Sequence, residues 1–77
     1  MKIGLKLYGN LKKFAPLKEE TATIDIAPGT TIAELLARLG VPDAAVWMSA
    51  INDAVVNHSV VLRDGDVLEV FEPVGGG

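Results

Sequence analysis

The stretch Thr31-Ile32-Ala33-Glu34-Leu35-Leu36-Ala37-Arg38-Leu39-Gly40 constrains the fold more than any other part of the chain. Thr31 and Glu34, three residues apart, read as a capping box: the threonine hydroxyl accepts from the N3 amide while the glutamate reaches back to the N-cap amide. Ile32, Leu35, Leu36 and Leu39 recur at i, i+3, i+4 and i+7, which lines one face of a helix with apolar side chains. Arg38 falls in the last turn, where positive charge offsets the helix dipole. Gly40 then stands at the C′ position, with Pro42 soon after. A helix over 31–39 is predicted, and its apolar stripe needs a sheet to cover it.

The strands for that sheet are legible on both sides. Lys2 to Tyr8 alternates, with Ile3, Leu5 and Leu7 on one face and Lys6 and Tyr8 on the other. Gly9-Asn10 breaks the pattern, and Leu11 to Ala15 fits a short helical turn with Leu11 and Phe14 inward, ended by Pro16. Leu17 to Glu20 reads as an exposed loop. Thr21 to Ala27 is a second strand with Ile24 and Ile26 as its apolar face, followed by the turn signal Pro28-Gly29. Beyond the helix, Pro42 to Met48 suggests a short turn with Val46 and Trp47 over the sheet edge. Ser49–Asn52 and Val55–Asn57 read as two short strands around Asn52-Asp53. Asp64-Gly65 is a tight-turn signal before a last strand, Val67 to Phe71. Glu69 would be costly in a core, so Leu68 and Val70 face inward, and Val67, Glu69 and Phe71 share the outer face.

One helix covers only one face of a sheet. The economical arrangement is a mixed sheet wrapped around that helix, with the first and last strands adjacent in the middle. Their parallel pairing requires a crossover, and the helix supplies it. The expected class is α+β with a β-grasp (ubiquitin-like) fold, residues 1–72 forming the domain and 73–77 a flexible glycine tail.

Composition narrows the function. At 77 residues the chain is a single domain, and a chain of this size buries only roughly 60% of its unfolded surface. There is no cysteine, hence no disulfide, thiolate site or thiol nucleophile. With one histidine, a common zinc site is out of reach, and no metal is expected. The net charge of −3 argues against nucleic acid as the main partner. The charged start, Met1 to Lys6, does not resemble a signal segment, and no apolar run approaches a membrane span. A soluble, cytoplasmic protein is expected. His58, in Asn57-His58-Ser59, reads as a solvated loop histidine with no acid or nucleophile beside it. Asp64, Asp66 and Asn52-Asp53 read as turn chemistry. The only glycine cluster opens no helix, so a phosphate loop is absent. An enzyme acting alone is not expected.

Two features remain. On the outer face, Tyr8 and Phe71 fall together with Val67 near and Lys6 at the rim. Exposed aromatics so clustered mark partner surfaces. The alternative is that Leu11–Phe14, or Trp47, folds over them. The second feature is the end of the chain, Phe71-Glu72-Pro73-Val74-Gly75-Gly76-Gly77. Glycine contributes no packing and loses the most backbone freedom on ordering, so this end serves no core. A frayed terminus is one reading. The other is a thread that reaches roughly 20 Å from Glu72 onward when extended. It would fit a channel too narrow for other residues. Its terminal carboxylate, with a pKa of about 3.3 to 3.7, is ionised at neutral pH and can attack an activated phosphate.

Leu7-Tyr8-Gly9 with Leu11 and Phe14, then Pro28-Gly29-Thr30-Thr31-Ile32-Ala33-Glu34-Leu35-Leu36, Asn52, Leu62-Arg63-Asp64-Gly65-Asp66 and the terminal Phe71–Gly77 occur in an order that resembles one family over essentially the whole chain. That family is the MoaD/ThiS group of sulfur carriers, most similar here to the small subunit of molybdopterin synthase (MoaD). The resemblance implies that an E1-like enzyme uses ATP to adenylate the Gly77 carboxylate, and that a sulfur donor converts it to a thiocarboxylate. The carrier itself binds no cofactor. In the molybdopterin branch the tail enters the large synthase subunit and gives sulfur to a pterin precursor, forming the dithiolene that holds molybdenum or tungsten. In the thiamine branch sulfur goes to the thiazole ring. The reactive position carries over to Gly77 and its slender neighbour to Gly76. Tyr8, Phe71, Pro73, Val74 and Gly75 become partner-contact candidates.

This chain departs from the molybdopterin pattern in having Glu72 where proline is usual and Gly75 where alanine or serine is usual. A triple-glycine end is equally at home in thiamine carriers. The long connection Gly9 to Glu20 and the pair Pro73-Val74 favour the molybdopterin side. A ubiquitin-like modifier joined to target lysines through Gly77, and a plain interaction module with an inert tail, remain alternatives.

Overall fold

Thr31 caps the helix as its spacing predicts. In the computed structural model, which describes residues 1–15 and 21–73, helix α1 spans Ile32–Leu39. The Glu34 amide donates to Thr31 Oγ1 at 3.2 Å and the Thr31 amide to Glu34 Oε1 at 3.1 Å, completing the box. Gly40 takes the left-handed conformation at φ 82°, where a Cβ would be penalised. Its amide donates to the Ala37 carbonyl and that of Val41 to the Leu36 carbonyl, the paired bonds of a Schellman motif. Thr31→Ala is expected to cost about 1 kcal/mol. Urea unfolding checks this, and an unchanged midpoint would mean that the cap contributes nothing.

Five strands form one sheet: β1 (Lys2–Leu7), β2 (Thr21–Asp25), β3 (Met48–Ile51), β4 (Ala54–Val56) and β5 (Val67–Phe71). Their order is β2-β1-β5-β3-β4. The β1–β5 pair is parallel, with Leu5 opposite Leu68 and Leu7 opposite Val70. All other pairs are antiparallel. The first and last strands therefore meet in the middle of the sheet, as the crossover argument requires. The β3–β4 turn uses Asn52 and Asp53 at φ 49° and 72°, the left-handed pair that suits a two-residue hairpin.

The inner face carries Ile3, Leu5, Leu7, Leu68 and Val70, all buried, against Ile32, Leu35 and Leu36 of α1. A 3-10 turn over Gly9–Phe14 adds Leu11 to this core, with Phe14 partly buried beside it. A second short turn, Asp43–Ala45, brings Ala45 and Val46 to the same cluster. Trp47 departs from expectation: it does not cover the sheet edge but is 58% exposed. Val41, Ala45 and Val46 already line the core there, and the Trp47 amide donates to the Phe71 carbonyl at 2.8 Å. Among the described residues no helix is long and apolar enough to cross a membrane. Leu17 to Glu20, read as a loop, lies outside the described residues, as does the tail from Val74.

Candidate functional site

Strand parity builds the outer face. Pairing places Lys6 of β1 and Ala50 of β3 beside Glu69 of β5, and Met48 beside Phe71. Tyr8 follows the end of β1, where its amide donates to the Val70 carbonyl at 3.2 Å. Its ring stacks on Phe71 with centroids 4.8 Å apart and planes within 5°. The Tyr8 hydroxyl donates to Glu69 Oε2 at 2.6 Å, a charge-assisted bond that fixes both side chains. The segment Leu11–Phe14 packs on the opposite, inner side, and Trp47 is exposed. Among the described residues the one ring stacked on Tyr8 is Phe71, and neither Phe14 nor Trp47 stacks on this pair.

The same end of β5 leads to the tail. Phe71 closes the strand, Glu72 is half-buried and Pro73 is exposed. Gly9 has φ +61°, and a Cβ there would collide with the Glu72 carboxyl group. The glycine is required for its left-handed conformation, while the Glu72 side chain is free to swing away from an added Cβ. Leu11, Phe14, Pro42, Ala45, Glu72 and Pro73 border a groove of about 460 Å³ beside this exit. Of the predicted site residues, the structure brings Tyr8 and Phe71 into contact and sets Pro73 at the groove. Val74, Gly75, Gly76 and Gly77 lie outside the described residues.

The remaining candidates resolve into structural roles. Asp64 Oδ1 accepts from the Lys2 amide at 2.8 Å and Asp66 Oδ2 from the Arg63 amide at 2.9 Å, so both carboxylates serve the turn. Among the described residues no cluster of three or more His, Asp or Glu is placed to hold a metal. His58 lies in a turn, as expected, but it is not the solvated, partnerless side chain expected there. It is half-buried, and its Nε2 lies 3.0 Å from Oγ of the fully buried Ser49 on β3. Its carbonyl also accepts from the Ala33 amide, which fixes the loop to the start of α1. A buried hydroxyl needs a partner, and this histidine supplies it. Sequence reasoning also missed the Tyr8–Glu69 bond. The signal was available in the β1–β5 register, which puts the two on one face.

A mixed sheet of this order, grasping one main helix, defines a ubiquitin-like β-grasp protein. Residues 5–77 match the model of the ThiS family. A chain in a complex of subunits 1 and 2 of molybdopterin-converting factor from Helicobacter pylori 26695 is 30% identical, with TM-score 0.63 and 100% of each chain covered. Small archaeal modifier protein 1 of H. volcanii has TM-score 0.73 at 19% identity, over 95% of this chain and 98% of that one. The Haloferax volcanii HVO 2177 protein has TM-score 0.78 at 19% identity, over 100% of this chain and 87% of that one. At such identities these last two likenesses carry the fold. No curated protein matches the sequence. The chain belongs to the ThiS family, and is a small carrier protein of ThiS/MoaD type.

Proposed function

We propose that the protein is a sulfur carrier for molybdopterin synthesis, the cofactor that holds molybdenum or tungsten. Residues 1–72 are the scaffold and 73–77 the working tail. A carboxylate oxygen of Gly77 attacks the α-phosphorus of ATP on an E1-like enzyme, and pyrophosphate leaves. Hydrosulfide from a sulfur donor then attacks the acyl carbon, AMP and a proton leave, and a thiocarboxylate results. Within the large synthase subunit the tail delivers this sulfur to a pterin precursor. Gly76, like Gly77, has no side chain to obstruct a narrow channel. Tyr8, Phe71, Pro73, Val74 and Gly75 form the contact with the partner.

One observation carries this reading: the family match runs through the glycine end to residue 77. The branch is supported by the likeness, across the whole chain, to a chain of the H. pylori converting-factor complex. The fold serves thiamine carriers and protein modifiers equally well.

The test is incubation with the E1-like enzyme of the same organism, ATP and a sulfur source, read by intact mass. Replacement of one oxygen by sulfur is expected. Ladders of heavier conjugates would instead identify a modifier, and an unchanged mass with a competent enzyme would sink both. Adding the large synthase subunit and a pterin precursor, or the thiazole-forming enzymes, then decides the branch by which product gains sulfur.

A further inference from the structure

We propose that Glu69 makes the outer face selective for a partner that presents an arginine, whose guanidinium pairs with the Glu69 carboxylate beside the stacked Tyr8 and Phe71 rings. The inference rests on the reading that a partner covers this face.

Glu69 stands on β5, the middle strand of the sheet, half-buried between Lys6 and Ala50 in register. Residues two apart on one strand face lie roughly 7 Å from each other, so a partner that covers Phe71 also covers Glu69. The surroundings give the carboxylate little to lean on. Ala50 is buried beside it, and Val67 and Phe71 flank it along β5. Its one hydrogen bond among the described residues comes from the Tyr8 hydroxyl, and it forms no ion pair there, although Lys6 is its cross-strand neighbour. A carboxylate stripped of water with one donor is strongly unfavourable until a cation reaches it.

The geometry selects the cation. The Tyr8 bond and the ring stack already hold the carboxylate in one orientation, so little freedom is left to lose when a second donor arrives. A guanidinium is planar, weakly hydrated and able to lie on aromatic rings while donating to a carboxylate. An ammonium is compact and strongly hydrated, which suits Lys6 to a position at the rim. Other partners of similar apolar character but without the arginine would bury Glu69 unpaired and be rejected.

Two measurements test this. In ATP–pyrophosphate exchange with the E1-like enzyme, Glu69→Gln is expected to raise KM for the carrier by about tenfold or more. The kcat should stay within about twofold, because Glu69 takes no part in the bond made at the Gly77 carboxylate. A KM rise for Lys6→Met matching that of Glu69→Gln would mean that Lys6 is the neutralising cation, and would overturn the proposal. The second measurement needs no enzyme. Amide shifts are followed while the labelled protein is titrated with N-acetyl-arginine amide or N-acetyl-lysine amide. Saturable shifts at Tyr8, Glu69 and Phe71, stronger with arginine and lost in Glu69→Gln, are expected; equal shifts for both probes, or shifts retained in the variant, would refute it. If the parent chain is not activated at all, the function proposed above fails, and the titration alone decides the role of Glu69.

Discussion

A chain lengthened by one residue beyond Gly77 is expected to lose activation altogether while folding like the parent. Each added residue moves the carboxylate outward by about 3.5 Å. Attack on the α-phosphorus of ATP needs the oxygen aligned within a fraction of that distance, and a misplacement of about 1 Å can already cost a hundredfold. The fold is not expected to respond, because among the described residues every buried core residue lies between Ile3 and Val70. ATP–pyrophosphate exchange and urea unfolding, run on both chains, separate the two effects. An extended chain that is still fully active would refute the assignment of Gly77 as the reacting residue, and a shifted urea midpoint would show that the tail packs on the domain.

Leu68→Ala should have the reverse profile, a ruined scaffold behind an intact tail. Leu68 has no exposed surface and sits on the middle strand, opposite Leu5 on one side and Ile51 on the other. Removing such a side chain costs about 2–5 kcal/mol. A domain of 77 residues has a total stability of only about 4–12 kcal/mol. The melting temperature should therefore fall by about 10 °C or more. Val55→Ala, at a position 66% exposed on β4, should stay within about 0.5 kcal/mol. Thermal unfolding followed by circular dichroism makes the comparison. Near-equal melting points for the two variants would mean that the core repacks around the lost leucine.

The features legible in the sequence are those fixed within a few residues. The capping box of Thr31 and Glu34, the left-handed Gly40 and Gly65, and the alternation of β1 and β5 depend on local geometry, and each appears where its spacing places it. The parallel β1–β5 pair was reachable because the single helix dictates the crossover. Trp47 was misplaced because its exposure depends on what else fills that end of the core, namely Val41, Ala45 and Val46. His58 looked solvated because its partner, Ser49, lies nine positions away on β3. At the site, Tyr8 and Phe71 were predictable from strand parity. Glu69 drew notice only as a charge kept out of the core, and its bond to Tyr8 waited on the register. The left-handed conformation of Gly9 is a backbone angle and was not readable from composition.

The strand that unites the sheet is also the one from which the tail departs. Until β5 is made, the β2-β1 ribbon and the β3-β4 ribbon have no edge through which to join. During synthesis the sheet consequently stays in two parts until residues 67–71 have emerged. A product cut short within β5 lacks the strand that joins the two ribbons. The formation of β5 and the closure of the sheet thus coincide in one event.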